Sequence, residues 1–437
     1  MKTVGSARDE ALAALARVRR GLPVSEAIRK ANPLAGPDRA LMTQLVYGVL
    51  RHYRYLDAWI RPWQRGRLEP EIVDILRLAF FQLGFLDRVP AYAVVNAAVN
   101  QAKAHNPKVG NLVNAILRQA QGQPPRAETL SLGERYSLPD WIVQRWTDRY
   151  GVRLEGVLAA NSRVPPLMLR VNLSRVSREK VLTQIQEMGI EAVASPYLPE
   201  AIRVRGALWL EDLPAFQKGL VTVQDESGML VARVLDAQAG DEVIDMAIGI
   251  GGKAIHTLER LEGNMHLTGI DISARRLARC RDNLRRAGFS GRVSLVCERS
   301  EQYAHANPQS QDRVLLDAPC SNLGVLRRRV DARLSKQESG FVDLASRQRD
   351  LAEAAWRLTK PGGVIVYSTC STEPEETTTI IRNLLSEHDD LQPDDVTPFL
   401  PHAALAHYVH EKFLQLEPGD LDMDGFFIAR LHKRGAS

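Results

Sequence analysis

The amino-acid sequence predicts an α/β protein with a mostly parallel sheet in its second half, preceded by an all-helical region and a small α+β module. Three observations support this. Apolar residues recur at helical spacing up to about residue 121, residues 166–218 alternate strand-like and helix-like segments, and from residue 219 short β-rich runs are each followed by a helical stretch. Strands that alternate with helices are typical of an open parallel sheet. The 437-residue length also exceeds one ordinary domain.

The first predicted domain, residues 1–125, is helical throughout. Between Asp38 and Ile60 the apolar residues follow a three-and-four spacing that draws one stripe along a helix. The stripe consists of Leu41, Leu45, Val49, Leu56 and Trp59. Residues 126–165 are rich in Pro, Gly and polar residues at their start, which predicts a linker with short helices.

The second predicted domain, residues 166–218, alternates strand, helix and strand. Its helical segment SREKVLTQIQEMGI starts at the capping residue Ser177 and contains Gly189 near its end. We therefore expect a small α+β module here.

The third predicted domain, residues 219–437, contains the runs DEVIDMA, NMHLTGIDI, RVSLVCE, QDRVLLDAP and GGVIVYSTC. Each run predicts one strand. Because ligands bind at the carboxyl ends of strands in such sheets, we expect the active site at the residues that follow these runs.

Composition narrows the functional classes. The net charge is +5, and arginines cluster in RRLARCRDNLRR and LRRRVDAR, a pattern suited either to phosphate contacts or to a solvated helix face. Four cysteines in so long a chain predict neither a disulfide framework nor a metal site, so we expect no metal and a reducing cytoplasm. No stretch approaches the roughly 18 apolar residues of a membrane span, and we expect no membrane role.

The glycine-rich turn after the first run admits two cofactors. Residues 249–254 satisfy the G-x-G-x-x-A pattern of dinucleotide sites, and Asp271 follows at the distance of a ribose-binding carboxylate. A methyltransferase of the same sheet class uses a similar turn and acidic position. The turn alone therefore leaves NAD and S-adenosyl-L-methionine open.

Two later strand ends favour methyl transfer. Asp317 and Cys320 follow one run, and Cys370 follows the next. Methylation of carbon 5 of cytosine needs a thiolate that adds to carbon 6, a carboxylate near ring nitrogen 3 and a second group that helps remove the proton from carbon 5. A hydride-transferring enzyme needs none of these thiols.

The sequence resembles the RNA 5-methylcytosine methyltransferases, and closely the RsmB (Sun/Fmu) family that acts on 16S ribosomal RNA. The shared stretches are LVYGVLR, GNLVNAILRQ, VTVQDES, LLDAPCS followed by GVLRR, VYSTCSTEPEE and DGFFIARL, and they cover nearly the whole chain. The resemblance implies a Rossmann-like class I methyltransferase domain after a NusB-like helical RNA-binding domain. It also implies S-adenosyl-L-methionine as cofactor, small-subunit rRNA as partner and a monomer.

The resemblance further implies roles for individual residues. Cys370 is the nucleophile that attacks carbon 6, Cys320 assists product release, and Asp317 contacts the base and lies near the cofactor. Arg327 and Arg328 contact RNA. The residues expected around the cofactor are Ala247, Ile248, Gly249, Ile250, Gly251, Gly252, Lys253, Asp271, Arg299 and Asp317.

This chain departs from the family pattern on the cofactor side. The family's CAAPGGKT is replaced by residues 247–254, AIGIGGKA, and Arg299 occupies the position of an Asp that contacts adenine. An arginine accepts no hydrogen bond from the adenine amino group. These departures motivate an alternative hypothesis, a catalytically impaired rRNA-binding ribosome-assembly factor with a degraded cofactor pocket.

Overall fold

The computed structural model describes residues 6–34, 36–206, 208–261 and 265–435. The chain forms two compact units. Unit 1 comprises Met1–Val164 and Leu326–Lys336, and unit 2 comprises Pro165–Val325 and Gln337–Ser437. Residues 326–336, which interrupt the predicted α/β region, therefore pack with the helical unit.

Unit 1 is helical in its described residues, as the apolar periodicity predicts. Its helices are α1 (Ala7–Arg19), α2 (Val24–Arg29), α3 (Gly36–Arg51), α4 (Tyr53–Ile60), α5 (Pro70–Phe85), α6 (Ala91–His105), α7 (Gly110–Ala120), α8 (Leu132–Arg135), α9 (Asp140–Tyr150) and α10 (Leu154–Ser162). The inserted segment adds the short helix Ala332–Ser335, and Val330 joins the apolar core of the unit.

The stripe predicted as one helix between Asp38 and Ile60 is broken at His52, between α3 and α4. A backbone carbonyl before the break and a backbone amide after it form hydrogen bonds with side chains outside α3 and α4. The Arg51 carbonyl accepts from Arg333 Nη1 at 3.2 Å, and the Tyr55 amide donates to Ser137 Oγ at 3.2 Å. Residues distant in sequence therefore replace the intrahelical bond that would join the two helices.

Unit 2 begins with a small antiparallel sheet. Its strands are β1 (Leu167–Val171), β2 (Glu191–Ala194), β3 (Ala201–Arg205) and β4 (Val221–Val223), in the order β2-β3-β1-β4, with helices α11 (Arg178–Glu187) and α12 (Pro214–Gln217). Ser177 Oγ accepts from the Lys180 amide at 3.3 Å at the start of α11, and Gly189 follows the helix with φ +73°. The cap and the glycine end predicted for this helix are confirmed. We call these residues, 166–223, the small module.

The larger sheet of unit 2 runs in the order β11-β12-β13-β9-β8-β5-β6-β7, and β10 pairs with β13. Strands β5 to β9 are parallel, and β10 to β13 are antiparallel additions. The strands are β5 (Glu242–Asp245), β6 (His266–Ile270), β7 (Val293–Val296), β8 (Gln311–Asp317), β9 (Thr359–Thr369), β10 (Leu391–Asp394), β11 (Val409–His410), β12 (Phe413–Leu416) and β13 (Phe426–Lys433).

Seven further helices lie between or before these strands. They are α13 (Glu226–Leu235), α14 (Gly252–Glu259), α15 (Ala274–Ala287), α16 (Ser300–Ala306), α18 (Gly340–Leu358) and α19 (Thr378–Glu387) in unit 2, and the unit 1 helix Ala332–Ser335, which is α17 in chain order. The chain leaves β5 toward β6 and β7 on one side and later fills β8 and β9 on the other. In open α/β sheets a ligand crevice forms at such a reversal of strand order. All five strands predicted from the sequence are present.

Among the described ranges, no helix combines the length and the apolar character that a membrane crossing requires.

Candidate active site

The two cysteines predicted at neighbouring strand ends come into direct contact. Cys320 lies three residues after β8, Cys370 immediately follows β9, and their Sγ atoms are 3.2 Å apart. Cys320 is 8 % exposed, and Cys370 is half-buried. The parallel pairing that sets Asp317 opposite Ser368 explains this contact, because it aligns the ends of the two strands.

Asn322 holds both cysteine loops in place. Its Oδ1 accepts from Cys370 Sγ at 3.3 Å, and its Nδ2 donates to the Cys320 carbonyl at 3.0 Å. Asn322 has φ +65°, a left-handed conformation that Asn tolerates better than most residues. No role was predicted for Asn322, although an Asn directly after the PCS motif is a recognisable candidate for a turn.

The buried Glu376 stabilises the loop that carries Cys320. It is fully buried, accepts from the Ser321 amide at 2.8 Å and from Ser321 Oγ at 2.5 Å, and receives a third bond from Gln348 Nε2 at 3.1 Å. Ser321 Oγ also lies 3.3 Å from Ser371 Oγ. Glu376 therefore fixes Ser321, which in turn contacts Ser371, and no role for Glu376 was predicted although it lies in the shared EPEE stretch.

Lys253 and Asp317 form an ion pair beside the thiols. Lys253 Nζ lies 2.6 Å from Asp317 Oδ2, and Ser368 Oγ donates to Asp317 Oδ1 at 3.0 Å. Burial opposes the charge of Lys253, but the neighbouring Asp317 carboxylate outweighs it and raises the pKa of the lysine. The lysine of the glycine loop and the carboxylate after β8, both predicted site residues, are thus brought together.

The thiol pair ionises as one group. A hydrogen bond from Cys370 lowers the pKa of Cys320, whereas the same contact, burial and the negative charge on Cys320 raise the pKa of Cys370. Interacting groups of this kind share their titration, so Cys320 loses its proton more readily than Cys370 does. The 3.2 Å contact also allows a proton to pass between the two sulfur atoms.

Asp245, the last residue of β5, is a buried carboxyl group beneath the site. It is 2 % exposed, and its Oδ1 accepts from the Ala247 amide at 3.2 Å. Burial and the nearby Asp317 carboxylate raise the pKa of Asp245 to about 7. The sequence analysis assigned no role to this residue.

The glycine loop between β5 and α14 keeps a tight turn despite its substitutions. Gly249 and Gly251 have φ +56° and +86°, values that side chains disfavour. A Cβ at Gly251 would lie 2.8 Å from Cys280 Sγ, so glycine is required there. Asn283 Nδ2 donates to the Ile250 carbonyl at 2.9 Å. The turn thus ends with the amides of the first turn of α14 available for a ligand.

The first substituted isoleucine of the loop points into the protein. Ile248 is 5 % exposed, and its Cδ1 occupies the space where Gly269 of β6 would carry a side chain, 2.2 Å from that ideal Cβ position. Ile250 is 42 % exposed. The missing side chain of Gly269 therefore accommodates the larger residue at 248 without moving the loop outward.

Asp271 closes the opposite side of the loop. It is 4 % exposed, and its two oxygens accept from the Gly249 amide at 3.2 Å and from the Ser273 amide at 2.7 Å. The exposed Arg276 lies 3.2 Å from Oδ1. The predicted ribose-binding carboxylate and the glycine turn are therefore in direct contact.

The predicted arginines lie in different surroundings. Arg299 occupies the N-cap position of α16 without a side-chain capping bond. Its side chain is 63 % exposed and pairs with Glu301 at 3.1 Å, so no contact of this side chain supports adenine recognition. Arg327 belongs to unit 1 and is 1 % exposed, which differs from the predicted contact with RNA because the guanidinium is not accessible in this structure. Arg328, also in unit 1, is half-buried.

Three known protein families match different parts of the chain. Residues 232–432 match the family described as 16S rRNA methyltransferase RsmB/F, and residues 5–122 match the NusB family. Residues 138–210 match the ferredoxin-like domain of RsmF/B-like methyltransferases. These matches agree with the α/β sheet, the helical unit and the small antiparallel sheet.

Curated relatives span the whole length. The chain is 30 % identical to a probable ribosomal RNA small subunit methyltransferase B of Bacillus subtilis, over 98 % of this chain and 99 % of the relative. It is 34 % identical to ribosomal RNA small subunit methyltransferase B of Proteus mirabilis, over 99 % and 100 %.

Solved structures agree in fold. The crystal structure of the protein PH0851 covers 98 % of each chain at 25 % identity with a TM-score of 0.82. A methyltransferase homologue from Pyrococcus horikoshii covers 71 % of this chain and 100 % of its own at 26 % identity, with a TM-score of 0.58. The chain belongs to the RsmB/F family of 16S rRNA methyltransferases.

Proposed function

We propose that this protein uses S-adenosyl-L-methionine to methylate carbon 5 of a cytosine in small-subunit rRNA, through a covalent bond between Cys370 and the base. The observation that carries the proposal is the pair of thiols 3.2 Å apart at the ends of β8 and β9, beside the Lys253–Asp317 ion pair. Family membership supports the class of substrate.

The chemistry follows from the reactivity of the base. Carbon 5 of cytosine is a poor nucleophile until a thiolate adds to carbon 6. In the proposed reaction, the Cys370 thiolate forms the bond to carbon 6, and the electrons of the carbon 5–carbon 6 double bond make carbon 5 the nucleophile that receives the methyl group. Cys320, in its thiolate form, then takes the proton from carbon 5. The electrons of that bond re-form the carbon 5–carbon 6 double bond, and the carbon–sulfur bond breaks with its electrons returning to Cys370.

Asp317 is proposed to contact the base. Its carboxylate is one-third exposed, and Oδ1 and Oδ2 are already oriented by Ser368 and Lys253. A carboxylate held in this way can accept hydrogen bonds from the polar edge of the ring and stabilise the adduct. Lys253 holds that carboxylate in position.

The residues around the glycine loop fit the cofactor. The positive-φ glycines allow close approach of a ligand to the backbone, the first turn of α14 offers free amides, and Asp271 is a buried carboxylate at the adjoining strand end. When bound, S-adenosyl-L-methionine supplies an electrophilic methyl group. We assign the methionine part to residues 247–253 and the ribose to Asp271.

The same geometry weakens the alternative of an assembly factor with a degraded pocket. That alternative rests on the two isoleucines of the loop, but Ile248 packs against Gly269 and leaves the turn intact. The polar residues of the site also keep their mutual contacts, as in the ion pair of Lys253 with Asp317. The hypothesis of an NAD-dependent enzyme does not account for Cys320 and Cys370, because hydride transfer needs neither thiol.

The test is transfer of labelled methyl from S-adenosyl-L-methionine to unmodified small-subunit rRNA, with the modified position mapped and Cys370→Ala as the control. We expect label on carbon 5 of one cytosine and none in the variant. Equal labelling by Cys370→Ala would overturn the covalent mechanism. Binding of the RNA without any transfer by the wild-type protein would favour the assembly factor.

A further inference from the structure

The helix that follows the glycine loop is held by the small module through one buried arginine. Arg170 of β1 is fully buried, and its guanidinium bonds to both ends of α14. Nη1 donates to the carbonyl of Gly252, the first residue of the helix, at 2.9 Å, and Nε lies 2.8 Å from Oε2 of Glu259, the last residue. One side chain therefore contacts both the first and the last residue of the helix.

A second contact from the small module reaches the middle of the same helix. His256 of α14 is 3 % exposed, and its Nε2 lies 3.5 Å from Oε1 of Glu200, which follows β2. Glu200 is itself held by Arg233 of α13 at 2.6 Å. Burial and the nearby Arg170 lower the pKa of His256 to about 3, so this contact joins a neutral imidazole to a carboxylate that Arg233 holds in place.

The glycine loop is also held by the bonds of Gly249 with Asp271 and of Ile250 with Asn283, and these contacts lie before the point where the helix begins. Its two glycines at positive φ are the residues with the greatest conformational freedom, and the family's proline is replaced here by a glycine-isoleucine sequence. A loop without proline gains entropy when it is released. Arg170 bonds at Gly252, the point where this flexible loop becomes helix.

We propose that Arg170 is a positioning residue for the cofactor loop, and that the small module acts in this chain as a support for that loop through Arg170 and Glu200. The guanidinium orients the first turn of α14, whose free amides face the ligand. The identity of the ligand rests on the proposed function, whereas the order that Arg170 imposes on the loop does not.

The structure offers a matched control for Arg170. Arg203 of β3 pairs with Glu226, the first residue of α13, at 2.7 Å, and its carboxylate partner is 1 % exposed. Glu259, the partner of Arg170, is 5 % exposed. Arg170→Met and Arg203→Met each remove one arginine of the small module and leave one buried carboxylate of a helix without its arginine partner, but only the first removes a contact with the glycine loop.

The experiment measures two quantities in the full-length wild type and both variants. The first is the dissociation constant of S-adenosylhomocysteine, by calorimetry. The second is hydrogen exchange of the amides of residues 249–254 in the ligand-free protein. For Arg170→Met we expect a dissociation constant about tenfold higher and exchange at least about tenfold faster, with Arg203→Met within about twofold of wild type on both. Equal effects of the two variants would overturn the proposal.

A third variant separates positioning from charge neutralisation. In Arg170→Met/Glu259→Leu no carboxylate is left unpaired at this place, so a role limited to neutralising Glu259 predicts recovery of both quantities. We expect loop exchange to stay fast, because the bond to the Gly252 carbonyl is still missing. If the wild type does not bind S-adenosylhomocysteine, the proposed function fails, and the exchange measurement still decides the role of Arg170.

Discussion

The Sγ atoms of Cys320 and Cys370 are 3.2 Å apart although 50 positions separate them in the sequence, so neither thiol titrates independently. Removal of Cys320 takes away the contact and the negative charge that raise the pKa of Cys370, although Cys370 remains buried. We therefore expect the pH midpoint for alkylation of Cys370 by iodoacetamide to fall by about one unit in Cys320→Ala. Exposed Cys297 serves as the internal reference. An unchanged midpoint would show that the thiols are not coupled.

Cys320→Ala also separates the two proposed catalytic roles. If Cys370 forms the bond to the base and Cys320 assists its release, this variant should retain RNA as a covalent adduct that survives denaturing electrophoresis. Cys370→Ala should form none. A covalent adduct in Cys370→Ala but not in Cys320→Ala would reverse the assignment.

Substitution of Asp245 should change the pH dependence of stability. The pKa of Asp245 is raised from 3.8 to about 7 in the folded protein, so the folded state binds the proton more tightly and stability falls as pH rises between these values. Asp245→Asn has no carboxyl group to ionise, so this fall in stability with rising pH is absent. The side-chain oxygen of the Asn can still accept the hydrogen bond from the Ala247 amide. We expect the variant to gain stability relative to wild type between pH 5 and pH 8, by up to about 2.7 kcal/mol, because about two pH units lie between pH 5 and the raised pKa.

The measurement is the melting temperature of the full chain at both pH values, and Asp312→Asn provides a control of opposite sign. Burial opposes the charge of Asp312, but its bond with Lys360 outweighs burial and lowers the pKa of that carboxyl. Asp312→Asn removes this charge and should therefore lower the stability of the folded protein at pH 8. Parallel melting curves for wild type and Asp245→Asn across this range would contradict the raised pKa.

The packing of Ile248 against Gly269 predicts a compensating pair. Gly269→Ala should destabilise the protein by about 1–3 kcal/mol, because its Cβ has no room beside Ile248 Cδ1. In Gly269→Ala/Ile248→Ala the crowding disappears, and the second substitution should cost less than Ile248→Ala alone. Chemical denaturation of the four proteins gives the coupling energy, and additive effects would exclude this contact as the reason why Ile248 is tolerated.

The ion pair of Lys253 with Asp317 predicts a separation of stability from activity. Lys253→Met should cost about 1–3 kcal/mol of stability, toward the lower end because Asp317 is one-third exposed. Lys253→Met/Asp317→Asn should recover much of that stability but remain inactive, since the base loses its carboxylate partner. Methyl transfer and melting temperature measured on the same samples check both parts, and an active double variant would remove Asp317 from the mechanism.

The sequence by itself determined the classes of the elements and the places where chemistry is possible. The helical periodicity of residues 1–121, the five β-rich runs and the capped helix after Ser177 are local patterns, and the structure contains each of them. The positions of Cys320 and Cys370 after successive runs were also sufficient to predict one shared site, because parallel strands end at the same edge of a sheet.

The tertiary structure decided what depends on contacts between distant residues. The break at His52 arises where Arg333 and Ser137 take over backbone groups of α3 and α4, and residues 326–336 pack with the helical unit although they lie within the α/β region. The isoleucine at 248 fits because Gly269 lacks a side chain, and Arg170 lies against both ends of α14. A sequence pattern gives the periodicity and the chemistry of residues that are neighbours along the chain. Each of these outcomes depends instead on contacts between side chains that are distant in the sequence and close only in the folded structure.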